Sequence, residues 1–326
     1  MKKILLYCVV EENIKWSEVK DSYKNNPIQR YSDIKEQKSF ICFLDELNKK
    51  FTEVYLKLDS QENFASKGFE RMFLYQGGKK FDLKSQEIIV DVVFNRSREI
   101  YFQLFCDRVC NSFEFKSVSK DKYLSYLFLK EYCPKTFLID DQIETRLNEI
   151  VSLDKIILKP RNLSGGKGIE VFNLLEVVDR KAFIEDLISK YPNFLIQEFK
   201  ETKKGIPGII NSRHDIRVQV CDKKISFVYI RVPKDEEYLA NVSQGGSVAK
   251  YVDFEIFEDF IQKKIREIIK KISTKYPNSH YAIDFGISES KEFFLYEINC
   301  NMGWPDYDEV IKPWARDLSE MLFKMA

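Results

Sequence analysis

Two apolar stretches near the end of the chain, "YAIDFGI" and "FFLYEINCN", carry polar groups where buried strands normally carry none. Asp284 stands in the first; Glu297 and Asn299 stand in the second, among Phe285, Phe293, Phe294 and Leu295. Both stretches have the length and the aromatic, β-branched content of strands, and the polar gap between them predicts a pair. Side chains alternate along a strand, so Leu295, Glu297 and Asn299 are expected on one face and Tyr296, Ile298 and Cys300 on the other. Pairing would gather Asp284, Glu297 and Asn299 into a set of oxygen donors suited to a hard cation such as magnesium. Buried carboxylates without a counter-charge would cost several kcal/mol. The alternative is a surface hairpin with its polar side chains outward.

The middle of the chain carries a second constellation, "LKPRNLSGGKGIEVF". A short apolar strand ends in Lys159, and a loop follows with Ser164, Gly165, Gly166 and Gly168. Glycines let backbone N–H groups approach an anion closely, and the lysine adds positive charge. The glycines run into a strand instead of opening a helix with Lys-Ser/Thr, so this is not a Walker loop. Taken alone, they are explained equally well by a hairpin turn. Arg217 in "HDIRV" and Arg231 in "YIRVP" sit on two further strands, where guanidinium groups suit phosphate or acyl phosphate oxygens. Ion pairs with nearby acids are the plainer reading of each arginine.

The intervening segments predict the scaffold. At 326 residues the chain exceeds one ordinary core, and 44% hydrophobic with 14% aromatic residues supplies packed interiors and excludes disorder. "ILLYCVV", an amphipathic helix from Phe40 to Phe51, "EVYLKLD" and "EIIVDVVFN" read as a parallel α/β layer, with a turn at Gly77-Gly78. "SKDKYLSYLFLKEYCPKT" reads as one helix from a cap at Ser119 to a stop before Pro134. Asp179 to Lys190 is helical and "NFLIQEF" is a strand; "DIRVQVC" and "KISFVYIRV" form a hairpin at Asp222-Lys223. An amphipathic helix spans Glu255 to about Tyr276, and "KPWARDLSEMLFKMA" closes as a helix. The expected divisions are residues 1–117, 118–199 and 200–326.

Several partner classes are argued against by charge and patterning. Basic and acidic residues number 52 and 51, for a net charge of +1, so no global basic excess points to nucleic acid. "KKIREIIKKISTK" places its lysines on the polar face of a helix and reads as a solvated face. No apolar run reaches the ~18 residues of a membrane span. The run Ile4 to Val10 ends in Glu11 and Glu12 without a small-residue cleavage site, so it is expected to be a first buried strand rather than a signal. Seven scattered cysteines fit reduced thiols in the cytoplasm; Cys106 and Cys110, one helical turn apart, lack the further ligands of a zinc site.

In their order along the chain, "SKDKYLSYLFLKEYCPKT", "IILKPRNLSGGKGIEVF", "LIQEF", "HDIRVQV", "YIRVP", "EYLANVSQGG", "AIDFGI" and "LYEINCNMG" resemble the ATP-grasp carboxylate–amine ligases. That group includes D-alanine–D-alanine ligase, glutathione synthetase and the ribosomal-protein glutamate ligases. The resemblance runs from about Lys120 to Asn301. It implies an α/β (α+β) ATP-grasp fold: a Rossmann-like N-terminal layer plus two α+β subdomains clasping ATP. It also implies ATP and magnesium as cofactors, two ions with manganese able to substitute. By position, Lys122 and Lys159 resemble the phosphate-contacting lysines, and Ser164 to Gly168 the flap over the phosphates. Gln197, Glu198 and Phe199 resemble the linker that meets the adenine edge. Asp215 resembles a residue near the sugar and Asn241 one at the phosphate end. Asp284, Glu297 and Asn299 resemble the magnesium ligands, and Arg231 the arginine that steadies the acyl phosphate; in the expected mechanism Arg217 acts beside it.

Two departures stand out. Leu239-Ala240-Asn241 replaces the Arg-Ser-Asn usual in ribosomal-protein glutamate ligases, and "CNMGWPDYD" replaces a small-residue turn on the substrate side. The resemblance implies a small-molecule or peptide carboxylate donor and an amine acceptor, with neither nucleic acid nor membrane as partner, and leaves a homodimer open. A kinase-like use of the same site, or a nucleotide-binding module without catalysis, are the rival expectations.

Overall fold

The computed structural model describes residues 2–8, 19–30, 34–58, 68–96, 106–140, 142–234, 238, 240 and 245–326. The first sheet contains β1 (Lys3–Tyr7), β2 (Glu53–Lys57), β3 (Met72–Tyr75), β4 (Phe81–Lys84), β5 (Val92–Asn95) and β6 (Val109–Cys110), in the order β4-β3-β2-β1-β5-β6. Between β1 and β2 run α1 (Asp21–Asn25) and α2 (Ile34–Asn48). The strands β2, β1, β5 and β6 are parallel, as the alternation of strands and helices predicts. The β3–β4 hairpin is an antiparallel addition at the edge. It turns through Gly77 and Gly78, whose φ angles of 94° and 62° favour residues without a Cβ.

The helix that the sequence predicts from Ser119 to Pro134 starts later, as α4 (Lys122–Leu129), and a helix that the sequence does not predict, α3 (Phe113–Lys120), precedes it. Asp121 breaks the run because its side chain accepts from the N–H groups of Tyr123 and Leu124 and so caps α4. The second sheet comprises β7 (Thr136–Leu138), β8 (Lys155–Pro160), β9 (Glu170–Asn173) and β10 (Phe194–Glu198), in the order β7-β10-β8-β9 and antiparallel throughout. Its core, including Ile156, Leu158 and Ile196, is closed by α5 (Leu147–Val151) and α6 (Arg180–Lys190).

The third sheet, also antiparallel, has the order β13-β12-β11-β14-β15. Its members are β11 (Asp215–Cys221), β12 (Lys224–Val232), β13 (Ser247–Val252), β14 (His280–Ile287) and β15 (Phe293–Asn299). One face packs on α7 (Asp259–Lys275) through Ile261, Ile265, Ile268 and Ile272, the stripe that the sequence period predicts. Phe115 of α3 and Leu129 of α4 join this core, so the segment before β7 packs with the third sheet. The last helix, α8 (Asp308–Met325), starts one turn earlier than its proline suggests, with Pro313 inside it. Its Trp314, Leu318 and Leu322 join Phe40, Phe43, Val92 and Phe94 in the core of the first sheet. One core of the first sheet therefore draws on both ends of the chain.

Candidate active site

The polar face of the third sheet is built by strand register. Arg217 pairs with Asp284 across β11 and β14, Asp284 with Glu297 across β14 and β15, and Asp215 with Arg231 across β11 and β12. Asn299 lies opposite Ala282, two residues from Asp284 and on the same face. The alternate residues Ile216, Val218, Ile230 and Ile283 enter the core beneath. Leu295 departs from the simple alternation. The register skips Tyr296, a β-bulge that lets Leu295 enter the core with Ile298 and Cys300, while Glu297 keeps the polar face. Nothing in the sequence announces that extra residue.

The cluster is dense in charge. Arg217 donates from Nε and Nη2 to the two oxygens of Asp284 at 2.6 and 2.5 Å. Arg231 Nη2 donates to Asp215 Oδ2 at 2.5 Å and approaches Asp284 Oδ2 at 3.1 Å. Arg217, Arg231 and Asp284 are 7%, 3% and 1% exposed. Burial alone would raise the Asp284 carboxyl, but Arg217 and Arg231 outweigh it and hold its pKa below the usual value. Asp215 is pushed up to about 6, first by burial and then by the charges of Asp284 and Glu297, which Arg231 offsets only in part. Asp215 Oδ1 and Arg231 Nε are buried without a hydrogen-bond partner. An acceptor and a donor left open in one cluster fit a site that takes a cation and an oxyanion together. Asp284 meets such a cation already held by two arginines, and Asn299 Oδ1 accepts from the backbone N–H of Asn301 at 2.8 Å. Among the described residues no group of three or more His, Cys, Asp or Glu side chains is arranged to hold a metal. The donor set that fits is two carboxylates and one amide.

The second sheet supplies the opposing wall. Lys159, at the end of β8, donates to Gln197 Oε1 at 2.5 Å, and Gln197 Nε2 donates to Thr136 Oγ1 at 2.7 Å. Gln197 is thus the side-chain partner of the lysine. Burial lowers the Lys159 pKa to about 8, with Glu297 pulling it up and Lys122 pushing it further down. Lys122, first residue of α4, donates to the carbonyl of Leu163 at the base of the glycine loop. A narrow cleft between the two sheets is lined by Lys122, Lys159, Gln197, Tyr296 and Glu297. Tyr296 is the residue missed in the sequence: the bulge turns its ring to the cleft, 5.9 Å from Lys159 Nζ.

The glycine loop joins antiparallel β8 and β9. Gly165, Gly166 and Gly168 have φ angles of 70°, 75° and 69°, and a Cβ at Gly168 would come within 2.9 Å of Pro160 Cγ. Ser164 is exposed beside them. In the linker, Glu198 pairs with Lys200 at 2.9 Å, and the N–H of Phe199 donates to Lys155 O at 3.0 Å. Asn241 lies outside the described residues.

Two antiparallel sheets closed on a cleft, one offering a buried lysine and a glycine hairpin, the other acids and arginines, define an ATP-dependent ligase of the ATP-grasp class. The chain belongs to the RimK-like ATP-grasp domain family, which matches residues 120–314. It is 23% identical over 227 residues to the Mycoplasma genitalium protein named "Uncharacterized protein MG011", covering 68% of this chain and 69% of that one. The fold is similar to that of the VanG D-Ala:D-Ser ligase from Enterococcus faecalis, with a TM-score of 0.59, 14% identity and 99% of each chain covered. It is also similar to the ATP-grasp ligase PsnB complexed with a phosphomimetic variant of its minimal precursor, Mg and ADP. There the TM-score is 0.56 and the identity 12%, over 100% of this chain and 99% of that one.

Proposed function

We propose that this chain joins a carboxylate to an amine through an acyl phosphate, releasing ADP and phosphate. The observation that carries this reading is the Asp284–Glu297 register facing Lys159 across the cleft. In the first step a substrate carboxylate oxygen attacks the γ-phosphorus of ATP and ADP leaves. In the second the amine nitrogen attacks the acyl carbon, phosphate leaves, and the amine proton passes to solvent. Neither step needs a covalent nucleophile from the protein; both need charge neutralised and atoms aligned. Magnesium, held by Glu297, Asn299 and Asp284, would neutralise charge on the β- and γ-phosphates. Lys122, Lys159 and the Ser164–Gly168 loop hold the phosphate tail, with Asn241 assigned to its end. Glu198 and the backbone at Phe199 meet the adenine edge. Arg231, through its open Nε, and Arg217 steady the acyl phosphate and then the tetrahedral oxyanion.

The substrates are read as a small-molecule or peptide carboxylate and an amine. The seven cysteines are all free thiols, which supports a cytoplasmic setting, and among the described residues no helix is long and apolar enough to cross a membrane. A screen of acids and amines for coupled phosphate release tests the reaction. Release dependent on both an acid and an amine is the expected result, whereas a stable phosphorylated product would show a kinase. Glu297→Gln is expected to lower turnover at least a hundredfold with an unchanged circular dichroism spectrum; retained turnover removes Glu297 from the site.

A further inference from the structure

The parallel sheet places a cationic side chain where its topology makes a crevice. The strand order runs β2-β1-β5, so the chain leaves β1 toward one side and returns as β5 on the other. The carboxyl ends of β1 and β5 are therefore a switch point, the place where open α/β sheets leave room for a ligand. Arg96 follows β5 directly, its backbone N–H donating to Tyr7 O of β1 at 2.8 Å. Its guanidinium lies 4.1 Å from the ring centroid of Trp304, and its Nη2 donates to Met302 O at 2.7 Å. The turn after β15, whose sequence is unusual on the substrate side, thus closes over this strand end.

Arg96 has no anion. Its Nη1 is buried without a hydrogen-bond partner, and among the described residues no carboxylate pairs with it. Its other neighbours are the rings of Phe94, at 5.9 Å, and His280. His280 supplies no negative charge: Trp314 Nε1 donates to its Nε2 at 3.2 Å, which leaves the ring proton on Nδ1. A guanidinium taken partly out of water, stacked on an indole and lacking a counter-ion is costly unless a ligand completes it. Met302 follows Asn299 by three residues, so their Cα atoms are at most about 11 Å apart. An anion on Arg96 would lie within reach of one to three amino-acid residues, roughly, from the reacting end of the site.

We propose that Arg96 binds a non-reacting carboxylate of the substrate, which makes that substrate an amino acid or short peptide with a free carboxylate at its far end. This rests on the ligase reading of the site. Planar recognition by the guanidinium fork sets the class of ligand, and Trp304 fixes the plane of the fork.

The test is equilibrium binding to the full chain with magnesium and a non-hydrolysable ATP analogue, read by tryptophan fluorescence beside Arg96. The probes are L-alanine, L-aspartate, L-glutamate and alanyl-glutamate, each beside its carboxamide counterpart. Saturable binding of at least one acid is expected, weakened about tenfold to a hundredfold by its amide and by Arg96→Gln. Arg96→Lys should recover only part of the loss, and the affinity for the nucleotide analogue should not change in either variant. Absence of binding by every acid, or equal binding by wild type and Arg96→Gln, overturns the assignment of Arg96. Failure of the wild-type chain to bind the nucleotide analogue would instead overturn the ligase reading.

Discussion

Lys159 illustrates how a single residue can be built for a ligand that supplies what the protein withholds. It is 8% exposed, its nearest partner is a neutral amide, and burial lowers its pKa from 10.5 to about 8. The folded chain therefore holds the proton less tightly than the unfolded chain. Below about pH 8 the fold carries the whole penalty, on the order of 3 kcal/mol, and stability rises as pH climbs from about 8 toward 10.5. On the proposed function, a triphosphate bound at Lys159 would supply the missing negative charge and raise the pKa again, so above pH 8 binding would take up a proton. The affinity for ATP should then fall by up to about tenfold per pH unit above pH 8. Lys159→Arg, which stays charged, should flatten the profile to pH 10. Calorimetric titrations at pH 7, 8, 9 and 10, in buffers of different ionisation enthalpy, measure both the affinity and the proton; a flat wild-type profile contradicts the account. The sequence marks Lys159 by the strand and glycine loop around it. It cannot mark Gln197 as the lysine's partner, because that contact depends on β8 lying beside β10.

At the scale of elements, Asp121 decides where Lys122 stands. The apolar pattern of residues 119–132 is continuous enough to read as one helix. A carboxylate at position 121 competes for the backbone, accepting from Tyr123 N at 2.9 Å and Leu124 N at 3.2 Å, and starts a new helix with Lys122 in its first turn. The same carboxylate receives Arg161 Nε at 2.9 and 2.8 Å, tying α4 to the residue after β8. Cap and ion pair separate by substitution. Asp121→Asn keeps the cap and loses the charge, a change of about 0.5 kcal/mol for a partly exposed pair. Asp121→Ala loses both, about 1–2 kcal/mol, or about 1.5–3 °C in melting temperature for a molecule of this size, and frees Lys122 to move from the loop. The KM for ATP is expected to rise in Asp121→Ala and to stay near wild type in Asp121→Asn. Equal melting temperatures for the two variants would show that the cap contributes nothing. The β-bulge at Tyr296 is the converse case: the strand pair is legible from composition, but a one-residue insertion in register leaves no compositional trace.

Across the whole molecule, the strands and helices are legible where apolar periodicity is strong, as in α7 and the β14–β15 pair, whereas the grouping of elements into cores is not. Segment order suggests that α8 completes the third sheet, and in part it does, since Trp314 donates to His280 of β14. Yet most of its apolar face lies with α2 and the first sheet, against Phe40, Phe43 and Phe94. The last helix therefore couples the switch-point layer bearing Arg96 to the sheet bearing Asp284 and Glu297. Among the described residues the second sheet, with its core of Ile156, Leu158, Ile184 and Ile196, shares no buried residue with that assembly. Leu318 is 0% exposed within the shared core, and Leu318→Ala should cost about 2–5 kcal/mol. If α8 is the coupler, the loss will not stay local. Amide hydrogen exchange should quicken together in α2, β1, β5 and α8, while β8 and β10 keep their protection until global unfolding. Uniform quickening in β8 and β10 as well would mean that the cores open as one unit. Quickening confined to α8 would mean that the first sheet stands without it.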